Sequence, residues 1–207
     1  MKLRSLLLPF TLFVLLALCS VPARSQTVVT FDDLVVHPID LFTNVPNVYR
    51  GLGWSNFFAE APIPMWTNGY FYGVVSLSNA VANGAGLPAE IDAVGTNFNF
   101  FSAYLTGAWM SNLNVQVEGF RGGDLIYNLT VTAAATNATL FTFDYEDIDR
   151  LTFSSFGGQN AGFSPGGPGE QFVMDNLLFA FVPEPSTLLL VATGAVPLAA
   201  LLRRRRG

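Results

Sequence analysis

Between residues 26 and 182, apolar and polar positions alternate in short runs that Gly, Asn, Asp or Pro interrupts about every ten residues. A side-chain period of two is that of a β-strand with one face buried. Residues 113–120 are the clearest case: Leu113, Val115, Val117 and Gly119 fall on one face, Asn114, Gln116, Glu118 and Phe120 on the other. Arg121-Gly122-Gly123-Asp124 then reads as a hairpin turn, because paired glycines adopt positive φ without steric cost. Segments 27–31, 48–58 (a pair interrupted by glycine), 70–76, 97–109, 125–132, 139–144, 150–156 and 172–181 bring the total to about nine predicted strands. Only 79–93 admits a helical turn, and Gly84 and Gly86 weaken it. The pattern predicts an all-β fold of two packed antiparallel sheets, a β-sandwich rather than a closed barrel, with one core of its own.

The two ends of the chain depart from this pattern. Lys2 and Arg4 precede an apolar stretch at 6–18, and Ala23 and Ser25 are small residues where a signal peptidase reads. Residues 1–25 are thus read as a signal peptide, recognised by the general secretion machinery and removed before Gln26. Cys19 raises lipid attachment as an alternative, although Leu18 stands where that motif takes a small residue. At the other end Pro183-Glu184-Pro185 heads an almost uncharged run, 186–202, that stops at Arg203, Arg204, Arg205 and Arg206. As a helix rising roughly 1.5 Å per residue, that run spans about 25 Å, enough for a single transmembrane helix, and the arginines would hold the C-terminus in the cytoplasm. The chain divides into 1–25, a domain at 26–182 and a tail at 183–207.

Charge changes the picture of the domain. It holds three basic residues, Arg50, Arg121 and Arg150, against fourteen carboxylates (the chain's fifteen less Glu184), a formal net charge of −11. Nucleic acid and anionic membrane surfaces are excluded as partners, since phosphates would be repelled; cations and neutral sugars are compatible. The domain has no cysteine, so neither disulfides nor thiolate metal sites are available to it.

The order of motif, apolar span and basic stop in the tail resembles the PEP-CTERM sorting signal of Gram-negative bacteria. The resemblance implies an exosortase as processing partner, transient residence in the inner membrane, and delivery to the cell surface or an extracellular matrix. Phe31-Asp32-Asp33-Leu34, the 49–54 element, the 117–123 turn, the 148–153 strand and Met174-Asp175-Asn176-Leu177 are similar to elements of secreted PEP-CTERM proteins of uncharacterised function. Their general shape is similar to jelly-roll carbohydrate-binding modules.

In a jelly roll the first and last strands lie side by side, which would bring Asp32 and Asp33 to Asp175 and Asn176. Their oxygens suit calcium, which takes six to eight hard ligands at about 2.3 to 2.6 Å; the competing reading is a solvated turn and a strand end. The acidic run 144–149 is expected in a loop, solvated or holding a cation weakly, and it lacks an EF-hand's glycine.

Among the aromatics, Trp66 and Tyr70 are the candidate ligand contacts, for extracellular polysaccharide, because two prolines and a glycine make 62–70 a loop and a planar ring matches the C–H face of a pyranose. Trp54 and Trp109 are expected in the core. Enzyme chemistry has little footing: His37 is the single histidine, no nucleophile elbow or zinc signature accompanies it, and nothing selects two of Glu60, Glu90, Glu118 and Glu170 as a glycosidase pair. The chain is therefore expected to be non-catalytic, binding polysaccharide with structural calcium, or else serving as a purely structural matrix or envelope component.

Overall fold

Phe100 and Phe153 face each other from two different sheets, ring centroids 6.1 Å apart, and Phe57 meets Phe153 at 6.0 Å. Around them lies the main core, a continuous buried cluster that includes Val29, Leu52, Trp54, Ile91, Leu105, Val117, Leu151 and Phe179. The computed structural model describes residues 25–37, 41–63, 65–163, 167 and 169–183. The signal helix and the transmembrane helix lie outside the described residues, among which no helix is long and apolar enough to cross a membrane. Residues Gln26–Glu184 form one unit.

In chain order the strands are β1 (Thr27–Val29), β2 (Phe42–Asn44), β3 (Val48–Tyr49), β4 (Leu52–Ser55), β5 (Phe57–Glu60), β6 (Ala80–Asn83), β7 (Ala89–Ala93) and β8 (Phe98–Gly107). They continue as β9 (Met110–Ser111), β10 (Leu113–Arg121), β11 (Asp124–Ala133), β12 (Thr139–Ile148), β13 (Arg150–Phe156), β14 (Gln159–Asn160) and β15 (Phe172–Phe181). A short helix, α1 (Gly69–Gly73), precedes β6. One sheet runs β12-β8-β15-β6-β5-β2, with β1 also on β15; the other runs β11-β10-β13-β7-β4-β3; β9 and β14 pair separately. All pairings are antiparallel, and the fold is the expected β-sandwich.

The β10–β11 hairpin turns on Gly122 and Gly123, at φ 59° and 91°, with Arg121 opposite Asp124. Alternation in β10 buries Leu113, Val115, Val117 and Gly119, as the sequence pattern requires.

Two expectations need correction, and a third is narrowed. Residues 70–76 are not a strand: α1 occupies most of them. Asn68 caps it, its side-chain oxygen accepting from the Phe71 amide at 3.3 Å. A Cβ on Gly69 would stand 1.9 Å from the Gly107 carbonyl oxygen, and one on Gly73 would stand 2.5 Å from Val173. The two glycines let the helix lie against the backbone of the sheet, a tertiary contact that no periodicity announces. Segment 79–93 is two strands, and the helical turn it admits is confined to the 3-10 turn Gly84–Gly86 between them. The acidic run 144–149 is mostly strand, with Asp144 and Asp147 at φ 51° and 54° marking bulges in β12. The bulges spread its carboxylates: Asp147 pairs with Arg121 at 3.3 Å and accepts from Asn97 at 2.9 Å, while Asp149 accepts from the Gly122 amide. Mutual repulsion is thereby relieved without a loop.

Candidate functional site

The ends of the domain meet where β1 lies beside the C-terminal half of β15, with Val28 opposite Leu178. After β1 the chain turns at Phe31, whose φ of 61° is held by burial against Tyr49 and Trp54. The turn delivers Asp32 to segment 75–79. Asp32 Oδ1 accepts from the amides of Ser78 (2.7 Å) and Asn79 (3.1 Å) and from the Ser76 hydroxyl (3.0 Å).

Asp175, wholly buried on β15, reaches the same segment. Its Oδ2 accepts from the amides of Val75 and Ser76, each at 2.7 Å, and its Oδ1 lies 3.3 Å from Ser76 Oγ. The carbonyl oxygens of Thr30 and Asn79 stand 3.1 and 3.3 Å from that same Oγ. A serine hydroxyl carries one proton, so it cannot satisfy four oxygens. Two carboxylates, two carbonyls and a hydroxyl form a hard-oxygen donor set that fits calcium chemistry.

The two carboxyls are perturbed in opposite directions. Burial opposes ionisation of Asp32, but the amides of Ser78 and Asn79 and the hydroxyls of Thr30 and Ser76 outweigh it and hold the group at about 2. Burial of Asp175 pushes its carboxyl up despite the amide bonds from Ser76, Val75 and Asn176. Asp33 turns away from this cluster: the Tyr49 hydroxyl donates to it, and Arg50 Nη2 lies 2.9 Å from it. Asn176 sits at φ 49° in the β15 bulge and contributes its backbone amide to Asp175 Oδ1 at 2.7 Å. Of the four residues expected together, Asp32 and Asp175 converge on Ser76. Among the described residues no group of three or more His, Cys, Asp or Glu is placed to hold a metal.

A second feature lies on the outer face of the first sheet. On β5, Phe57 and Ala59 enter the core while Phe58 packs against a smaller cluster of Ala80, Ala82, Ala108 and Val173 with Tyr70 and Trp109. Glu60 continues that outer face and stands opposite Phe42 of β2. The loop before α1, tied down by the Trp66 amide on the Ile63 carbonyl (2.9 Å) and the Gly69 amide on the Ala108 carbonyl (3.0 Å), leaves a pocket of about 430 Å³. Trp66, Tyr70, Trp109, Glu60, Asn68 and Gln171 are among its walls.

Trp66 is 40% exposed, and Tyr70 packs edge-on to Trp109 with centroids 5.4 Å apart. Burial alone raises the Glu60 carboxyl to about 8. Burial, reinforced by Glu60, raises the Tyr70 hydroxyl as well. Gln171 Oε1 is buried without a hydrogen-bond partner.

The structure thus places Trp66 and Tyr70 at one pocket, and it adds three residues that sequence reasoning missed. Trp109, expected in the core, follows β8 at the pocket wall. Glu60 gave one faint signal, the phase of β5, which sets it opposite to Phe57 and Ala59. Gln171 gave none. Trp54 is buried as expected, 4% exposed, its indole N–H donating to the Tyr49 carbonyl at 2.9 Å.

His37 is exposed and lines neither feature. Glu170 accepts from the Gly157 amide at 2.6 Å, and Glu118 accepts from Asn128 at 3.2 Å; neither is among the pocket's described lining residues. At the C-terminal edge the Val182 amide donates to the Asn97 carbonyl (2.8 Å) and its carbonyl accepts from Thr96 (3.0 Å); Pro183 is exposed. Glu184, Pro185 and the arginines at 203–206 lie outside the described residues.

No curated protein matches this chain. Among solved structures it is similar to CBM29_1, a family 29 carbohydrate-binding module from Piromyces equi, at 10% identity and a TM-score of 0.40 over 78% of this chain and 93% of that one. A mutant of CBM29-2 is similar at 13% identity and a TM-score of 0.40, over 78% and 98%. TmCBM61 in complex with beta-1,4-galactotriose is similar at 10% identity and a TM-score of 0.35, over 68% and 97%. Residues 181–206 match the PEP-CTERM protein-sorting motif. The chain therefore carries that sorting motif at its C-terminus, the mark of an exported protein that is anchored in a membrane and then processed.

Proposed function

We propose that the chain is an exosortase-processed protein of the cell surface or extracellular matrix whose sandwich binds extracellular polysaccharide without cleaving it. The observation that carries this reading is the pocket itself, where Trp66, Tyr70 and Trp109 line one concavity on the outer face of a sheet. Aromatic faces of this kind match the apolar faces of sugar rings, and the rigid sheet beneath limits the entropy lost on binding. Among the described residues that line the pocket, Glu60 is the one carboxylate. Glycoside cleavage by the usual route requires two, about 5 to 10 Å apart.

In the same reading, Asp32, Asp175, Ser76 and the carbonyls of Thr30 and Asn79 would hold calcium, which would neutralise two carboxylates at the junction of the domain's ends and serve structure rather than chemistry. The tail would be cut at or near Pro183-Glu184-Pro185, where two prolines keep the backbone extended and out of any helix.

Affinity electrophoresis of the full chain, solubilised in detergent, through gels cast with extracellular polysaccharides tests the binding. Retardation is expected for at least one polysaccharide and should be lost in Trp66→Ala. Equal mobility of both proteins in every gel would reject polysaccharide binding and leave a purely structural matrix component.

A further inference from the structure

Resting on the reading that this pocket binds polysaccharide, we infer that the sugar unit it takes carries a primary amine. The pocket asks for a positive charge that no described residue provides. Glu60 lines it from the outer face of β5, and the three described basic side chains all lie elsewhere: Arg50 on Asp33 at 2.9 Å, Arg121 on Asp147 at 3.3 Å, and Arg150 over the Phe120 ring at 4.4 Å. A carboxylate taken out of water is costly unless a partner is brought to it. Burial without any compensating bond or charge is also why, with the pocket empty, its proton is held to about 8, so a cation that binds there takes that proton's place. With no described side chain supplying it, the counter-charge is assigned to the ligand.

The walls favour the same group. Trp66, Tyr70 and Trp109 supply ring faces, and a cation is attracted to the negative face of an aromatic ring, most strongly that of Trp. None of the cation–ring contacts within the described protein involves these three rings.

The acceptors then select among cations. Gln171 Oε1 is buried without a partner, and Glu60 when ionised accepts only. A primary ammonium brings three N–H donors and no acceptor, which matches a pocket lined by these two acceptors. A quaternary ammonium has no N–H and would leave them unsatisfied, while a hydroxyl can donate only once and brings no charge. The domain's net charge of −11 favours the approach of such a ligand over that of an acidic one.

Three β-1,4-linked tetrasaccharides that differ only at C2 provide the test: glucosamine (amine), N-acetylglucosamine (acetamide) and glucose (hydroxyl). Their binding to the full chain in detergent near neutral pH can be followed by quenching of tryptophan fluorescence. The amine-bearing sugar should bind at least about tenfold more tightly than the other two. Glu60→Gln should reduce it to their level without lowering the thermal midpoint. The wild-type comparison stands alone should that variant fail to fold. Similar affinities for all three, weakened together by Trp66→Ala, would overturn the amine and leave polysaccharide binding in place. No binding of any, with quenching unaffected by Trp66→Ala, would overturn the amine together with the reading it rests on.

Discussion

Asp32 and Asp175, which come from opposite ends of the domain, are linked through one hydroxyl: Ser76 Oγ lies 3.0 Å from the first carboxylate and 3.3 Å from the second. The relation couples β15 to the turn after β1 through a segment that belongs to neither. A divalent cation at this point would bind the native arrangement and have no equivalent site in the unfolded chain. Calcium should therefore raise the thermal midpoint, by an amount equivalent to about 2.7 kcal/mol when present at a hundred times its dissociation constant. Scanning calorimetry with calcium and then with excess chelator checks this. Asp32→Asn and Asp175→Asn should each abolish the rise, and an identical midpoint in both conditions would remove calcium from the reading.

Glu60 gives a pH dependence of definite sign. Its carboxyl moves from the ordinary 4.5 to about 8 on folding. Below 4.5 both states hold the proton; between the two values the unfolded chain releases it while the folded protein keeps it. Stability from this group is thus fully present at acid pH, is lost as pH rises through that window, and levels off above about 8. In Glu60→Gln that component of the slope should vanish, so the difference in midpoint between variant and wild type should widen in the variant's favour as pH rises. A difference constant with pH would show that Glu60 ionises normally.

The seat of α1 is tested by Gly69→Ala. The added methyl would fall 1.9 Å from the Gly107 carbonyl oxygen and 2.7 Å from that of Ala108, backbone atoms that cannot swing aside. Overpacking of this kind costs about 1–3 kcal/mol. A lower urea midpoint is expected, together with weaker polysaccharide retardation, because Tyr70 rides on the displaced helix. Unchanged stability would mean that the helix shifts freely on the sheet.

Sorting makes its own prediction. Glu184→Ala should leave the full chain in the membrane fraction, and release equal to wild type would reject a role for this carboxylate in processing.

Much of the scaffold was legible in the sequence because it is written in local alternation. Residues 113–120 alternate between buried and outward positions, the two glycines after Arg121 fix a tight turn, and 172–181 is apolar enough to be read as a strand. What escaped was decided by contacts between distant segments. Helix α1 exists where a strand pattern was read because Gly69 and Gly73 fit against Gly107, Ala108 and Val173. The acidic run remains in β12 because bulges at Asp144 and Asp147 redirect its charges to Arg121, Asn97 and Gly122. The candidate site divides in the same way. Trp66 and Tyr70 were visible through their loop, and Asp32 and Asp175 through the adjacency of the first and last strands. Glu60 and Trp109 become informative only when the fold sets them on the walls of one pocket.

The place of β15 also bears on how the protein answers a pull. It lies between β8 on one side and β6 and β1 on the other, and the chain runs from its end at Phe181 directly toward the sorting tail. Hydrogen bonds in such a ladder lie across the strand axis. Tension drawn along β15 from its C-terminal end would load bonds to three neighbours in shear, all together, rather than peel them singly as it would from an edge. Whatever the tail is joined to, the sandwich is gripped by an interior strand, a geometry suited to bearing load.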